Sequence, residues 1–177
     1  MSLLELAGAY QIFGSGGMYY TPKLYNLITD YNDNVVIEQE PLGDRVMDSD
    51  SAYITNRLLK AVTDTTNGSG RYARIDGIEV VGKTGTSNDE RVLAVAGLTA
   101  EYCGVIRLGY DDNKNIGNTN YVYLAQVWHN FMVNIVNDES TKTFTKDPNV
   151  VEKNYCTETG LLATSKCPST AVGYYKA

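Results

Sequence analysis

At 177 residues the chain is long enough to fold as one domain around a full core. With 43% hydrophobic and 20% charged residues it is not a disordered tail. Acidic residues outnumber basic ones by 21 to 15, a net charge of −6, and lysine and arginine form no stripe that could follow a phosphate backbone, so nucleic acid is not an expected partner.

Along Leu3 to Phe13 apolar side chains recur at helical spacing, and Gly14-Ser15-Gly16-Gly17 supplies a stop, which predicts a short buried helix. Two extended runs follow, Leu24 to Ile28 and Val35 to Ile37, joined by Asp30-Tyr31-Asn32-Asp33-Asn34, and together they predict a hairpin. That connector begins like a calcium loop, but Val35 stands where the turn glycine is needed and Pro41 where the closing glutamate belongs, so it is an ordinary Asp/Asn turn. From about Ser51 to Asp64, Ile54, Leu58, Leu59 and Val62 share one face of a second helix. Its exit, Thr65-Thr66-Asn67-Gly68-Ser69-Gly70, is the most loop-like stretch of the chain. Three antiparallel strands are expected at Ile78 to Thr84, Val92 to Leu98 and Tyr102 to Leu108, then a helix over roughly Thr119 to Asp138, then a polar, weakly patterned tail over 139–177. The expected fold class is mixed α/β (α+β), an antiparallel sheet flanked by helices in a single domain.

The longest apolar stretches fall far short of the ~20 residues of a membrane helix, and Met1-Ser2 has no basic flank, so neither an anchor nor an export signal is expected in the chain itself. Cys103 lies in an apolar run and reads as core filler. Cys156 and Cys167 bracket a short polar segment, and their spacing fits a disulfide or two free thiols equally. Neither a metal site nor a cofactor is expected, because no second Cys or His pair completes a ligand set. His129 is a lone histidine on a helix flank, suited to capping or to solvent.

Residues Gly77 to Thr84 satisfy the phosphate-loop pattern G-x-x-x-x-G-K-[ST]. A nucleotide-binding loop has to curl so that successive N–H groups face an anion, and a helix has to follow its lysine. Ile78-Glu79-Val80-Val81 is instead extended and β-branched, and Gly85 to Asp89 is a turn sequence. Placed at a strand end, Lys83-Thr84-Gly85-Thr86 acquires other chemistry. The period of two puts the Thr84 and Thr86 hydroxyls on one face, able to meet one carboxylate, while Lys83 emerges on the other with a stem long enough to bring its ammonium into a cleft. Gly85 lets an extended peptide approach and pair with the edge, leaving the Thr86 N–H free for an oxyanion.

In order along the chain, several stretches resemble the transpeptidase domain of penicillin-binding proteins of the bifunctional, glycosyltransferase-bearing type. Leu3-Glu5-Leu6-Ala7-Ala9-Tyr10 with Phe13 and Gly16-Gly17 is similar to the family's "L-E-L-A-x-A-Y … F-x-N-G-G". Val81 to Asp89 is similar to its "A-G-K-T-G-T-T-x-D". Gly97-Leu98-Thr99 and Leu108 to Asp111 resemble the strands behind that motif, and Cys156, Thr159-Gly160, Ala163-Thr164 and Cys167-Pro168 its closing tail. Where the family usually has Asp-x-Trp-Phe this chain has Val92 to Val95, and Arg107 replaces an aromatic residue.

The resemblance implies the C-terminal half of the penicillin-binding/β-lactamase-like transpeptidase fold. It implies a serine acyltransferase acting on peptidoglycan stem peptides ending in D-Ala-D-Ala and acylated by β-lactams, in a parent protein at the outer face of the bacterial cytoplasmic membrane. Of the three motifs that chemistry uses, S-x-x-K, S-x-N and K-T-G, only the last occurs here, at Lys83, Thr84 and Gly85 with Thr86 following. The nucleophile is therefore expected to precede the first helix in a longer chain, and the isolated chain to be inactive. An alternative is a non-catalytic recognition fragment for β-lactams or peptidoglycan. The family's sheet has two further N-terminal strands beside the one matching Tyr102 to Leu108, so that strand is expected to present an open edge prone to self-association.

Overall fold

The structure is a computed structural model describing residues 1–117, 119–137 and 142–177. Helix α1 (Leu3–Gly14) starts at a reciprocal cap, in which Ser2 accepts from the Glu5 N–H and the Glu5 carboxylate accepts from the Ser2 N–H. It stops where Gly16 and Gly17 take positive φ angles. Beyond it, β1 (Met18–Tyr20) pairs antiparallel with β4 (Gly43–Arg45), enclosing the predicted hairpin of β2 (Leu27–Thr29) and β3 (Val35–Glu38). In the hairpin turn the Asp30 carboxylate accepts from the Asn32 and Asn34 N–H groups at 2.8 and 3.0 Å, so it serves the turn.

Helix α2 (Ser49–Asp64) leads through the 65–70 loop into the central sheet. Its strands β5 (Val81–Thr86), β6 (Val92–Leu98) and β7 (Cys103–Gly109) are antiparallel in chain order, which leaves β5 and β7 as edges among the described residues. On one face Val81 and Leu98 pack with Phe144, Tyr10 and Phe13 of α1 and Leu59 of α2. On the other, Val80, Leu93 and Val95 pack with Leu124, Ala125, Trp128 and Met132 of α3 (Tyr121–Met132). Trp128 lies in a slot made by two glycines, donating from Nε1 to Gly104 O at 2.9 Å. A Cβ on Gly97 would stand 2.6 Å from the indole ring and one on Gly104 2.7 Å from its nitrogen.

Three expectations need correction. The first predicted strand begins at Val81, because Gly77, at φ 74°, turns the chain and Ile78 only bridges back to Ile75. The last helix is shorter than predicted, Tyr121–Met132: Asn120 caps its start by accepting from the Val122 N–H, and turns follow Met132. The predicted end at Asp138 lies outside the described residues. The tail is not featureless either. Strands β8 (Val150–Cys156) and β9 (Thr170–Lys176) form a regular hairpin that is tied to α2 by the edge-to-face pair Tyr53–Tyr174 and by Lys176 Nζ on the Asp50 carboxylate at 2.9 Å. No helix of the described residues is long and apolar enough to cross a membrane.

Candidate functional site

Lys83-Thr84-Gly85-Thr86 forms the end of the edge strand β5. No helix opens at Lys83, which continues in the strand to Thr86 and the three-residue turn Asn88–Glu90, so the phosphate-loop reading of Gly77 to Thr84 is overturned: an extended strand cannot wrap its N–H groups around an anion.

The register divides the site between two faces. Thr84 and Thr86 stand opposite Val95 and Leu93, on the side of α3. Thr84 is buried, and its Oγ1 lies 2.6 Å from Ser69 Oγ in the loop after α2. Thr86 is exposed and lines a cavity of about 310 Å³ with Glu90, Leu93, Thr119, Asn120 and Tyr121. Lys83 and Gly85 belong to the opposite face, where Gly85 stands opposite Ala94 and Ala94 opposite Arg107. α1 covers this face only towards Leu98, where Cys103 Sγ donates to Ala7 O, which leaves small residues between two exposed cations as an open floor. A Cβ on Gly85 would meet nothing within 4 Å.

The backbone edge is also defined. The Ser87 N–H donates to Val92 O at 2.8 Å, so residues 83, 85 and 87 point their backbone groups at β6 while 82, 84 and 86 point outward. Two side chains occupy that outer edge: Thr63 Oγ1 donates to Val80 O and Lys83 Nζ to Thr84 O, both at 2.6 Å.

Beneath β5 lies a charged cluster that the sequence did not announce. Arg57 Nη1 and Lys60 Nζ each donate to Glu79 Oε1 at 2.7 Å, and the Phe144 N–H donates to Oε2 at 3.0 Å. Burial pushes the Glu79 carboxyl up, but the bonds from Arg57, Lys60 and Phe144 outweigh it and hold the group at about 2. Arg57 also stacks on Tyr53 and Phe144, with its Cζ 4.9 and 5.8 Å from the ring centroids. The cluster joins α2, the approach to β5 and the 142–145 segment, so it fixes the height of the site strand over α2. Two larger cavities, about 590 and 520 Å³, lie away from Lys83: one between α2 and the tail hairpin, the other beside the end of α1.

Among the other candidates, His129 Nδ1 hydrogen-bonds Arg74 O and thereby ties α3 to the turn before β5. Cys103 is half-buried, and burial pushes its thiol up to about 11. Cys156 and Cys167 are separate thiols. The described residues contain no group of three or more His, Cys, Asp or Glu able to hold a metal ion.

A sequence model of the penicillin binding protein transpeptidase domain matches residues 1–91, just over half of the chain. The chain belongs to this family. Penicillin-binding protein 1A of Clostridium tetani is 30% identical over 174 residues, covering 96% of this chain and 22% of that protein. Among solved structures, penicillin-binding protein 1A from Haemophilus influenzae superimposes with a TM-score of 0.84 at 23% identity, covering all of this chain and 32% of that one. Penicillin-binding protein 3 from Mycobacterium tuberculosis, complexed with ampicillin, superimposes with a TM-score of 0.60 at 18% identity over 83% of this chain and 39% of that one. The chain thus spans less than a third of penicillin-binding protein 1A in either species, and its mixed α/β architecture is that of the penicillin-binding fold.

Proposed function

We propose that residues 1–177 are one contiguous part of a peptidoglycan D,D-transpeptidase domain in which Lys83, Thr84, Gly85 and Thr86 form the substrate-aligning wall. The observation that carries this is the pairing of an open backbone edge with an uncovered floor. The outward-pointing N–H groups of Thr84 and Thr86 and the Thr86 C=O suit an added peptide strand, which would take Thr84 O from Lys83 Nζ, and Gly85 leaves it room. Lys83 and Arg107 supply positive charge on the exposed face, favouring a substrate that ends in a carboxylate. The Thr86 N–H, directed outward, is placed to donate to the oxyanion of an acyl transfer. Peptidoglycan stem peptides and β-lactams share that carboxylate and carbonyl arrangement, and the relative crystallised with ampicillin supports the second as a ligand.

The acylated serine comes from an S-x-x-K motif outside this sequence, in a parent protein working at the outer face of the cytoplasmic membrane. The open β7 edge pairs with further strands of that parent, and in the isolated chain with a second copy. A fluorescent penicillin and intact-mass spectrometry test the assignment. The isolated chain acquires no covalent adduct, whereas the chain joined in cis to an upstream segment bearing S-x-x-K and S-x-N does. In that longer protein Lys83→Ala and Thr86→Ala slow acylation by about 10–100-fold. An adduct on the isolated chain overturns the placement of the nucleophile. Unchanged acylation in the variants overturns the site, and leaves a bystander fragment in its place.

A further inference from the structure

The tail hairpin carries two thiols that substrate alignment does not use. Cys156 closes β8 and is 3% exposed, while Cys167 is half-buried three residues before Thr170, the β9 residue in register with Cys156. The chain between them doubles back onto β8. The Cys156 N–H donates to Leu161 O and the Gly160 N–H to Cys156 O, both at 2.8 Å, the Ala163 N–H donates to Asn154 O at 2.9 Å, and Tyr155 bridges to Leu162. This return brings the Cys167 side chain up to that of Cys156.

Both side chains also lie among polar groups. The Thr159 side chain and the backbone of Glu158 and Thr159 turn around Cys156, and the Thr164 N–H donates to Cys167 Sγ at 3.3 Å. Polar groups around Cys156 stabilise its thiolate, which is the reactive form. Led by the Thr159 hydroxyl, they bring the Cys156 thiol down to about 7, in contrast to the inert Cys103.

We propose that Cys156 and Cys167 are a redox-active dithiol, which low-molecular-weight disulfides convert to an intramolecular disulfide that locks the 157–166 loop onto the tail hairpin. Exposure sets the order of events. Cys167, the more accessible sulfur, attacks the incoming disulfide RSSR; its sulfur bonds to one RS group, the RS–SR bond breaks, and RSH leaves with the proton of Cys167. The Cys156 thiolate then attacks the Cys167 sulfur, the Cys156–Cys167 bond forms, and the second RS⁻ departs to take up the proton Cys156 gave to water. Two protein thiols are oxidised and RSSR is reduced to two RSH.

The test uses the full chain, reduced and desalted, exposed to oxidised glutathione at neutral pH. It is then alkylated under denaturing conditions and read by intact mass and peptide mapping. The expected product lacks two hydrogens, carries its alkyl group on Cys103, and yields a cross-linked peptide joining Cys156 to Cys167. Tryptic cleavage after the exposed Lys166 slows several-fold in the folded oxidised protein and recovers on reduction. Cys156→Ser accumulates a stable glutathione adduct on Cys167, with circular dichroism confirming that it is folded. A stable glutathione adduct on the wild-type chain, or three alkylated cysteines after the oxidant, overturns the proposal, and neither readout depends on a variant.

Discussion

The Thr84 hydroxyl is held by the Ser69 side chain, which sits in a loop with a glycine on each side. Removing it by Ser69→Ala leaves a buried hydroxyl short of a hydrogen bond, which costs about 1–2 kcal/mol and is measured as a lower urea midpoint. In the longer protein proposed above, the same change frees Thr84 to rotate and weakens acylation, whereas Ser69→Thr restores both. A second prediction concerns the tryptophan slot. Gly97→Ala pushes a methyl group into the Trp128 ring and destabilises the fold by roughly 1–3 kcal/mol, visible by thermal denaturation. At this scale the two-faced division of Lys83 from Thr84 and Thr86 was legible, because alternation along a strand is local. The Ser69 contact was not: Gly68-Ser69-Gly70 reads only as loop, and which strand the loop touches depends on how α2 docks.

Among the elements, α1, α2 and the three central strands were legible because each carries its own period and its own punctuation. Ser2 with Glu5 opens α1, and Gly16-Gly17 ends it. The β1–β4 pair was not legible, because its strands are three residues each and lie on either side of an entire hairpin. The β8–β9 hairpin was hidden for a different reason. Glu152-Lys153-Asn154 interrupts the apolar character of β8, and the register is set by pairing across the 157–166 loop and by contact with α2.

The Glu79 cluster couples these elements to pH. Folding lowers the Glu79 carboxyl from its ordinary value of 4.5 to about 2. The contribution to stability is therefore fully present above pH ~4.5 and lost as pH falls towards ~2, and a displacement of that size corresponds to roughly 3 kcal/mol. Urea titrations across that window show stability falling with acid, and Glu79→Gln flattens the dependence while lowering stability at neutral pH. Arg57→Ala, which leaves a buried carboxylate with fewer partners, costs about 3–5 kcal/mol by the same measurement.

At the scale of the whole molecule, the central three-stranded sheet has helices on both faces and, among the described residues, two edges that pair with no further strand, one bearing the candidate site and one at β7. Leu108 near the end of β7 is 40% exposed, so the isolated chain is expected to associate as its concentration rises. Sedimentation velocity shows this as a shift towards dimer, and Leu108→Lys suppresses it; a monomer at every concentration refutes edge pairing.

The site edge is guarded differently, since Lys83 lends its own ammonium to Thr84 O. A peptide strand added to that edge, as proposed above, would bring an N–H to the same oxygen and displace the lysine. On that proposal docking of the guest strand and displacement of the ammonium would be a single exchange: the lysine latches the edge while no guest is there, keeping its charge, and is freed to turn to the guest's carboxylate as the guest settles.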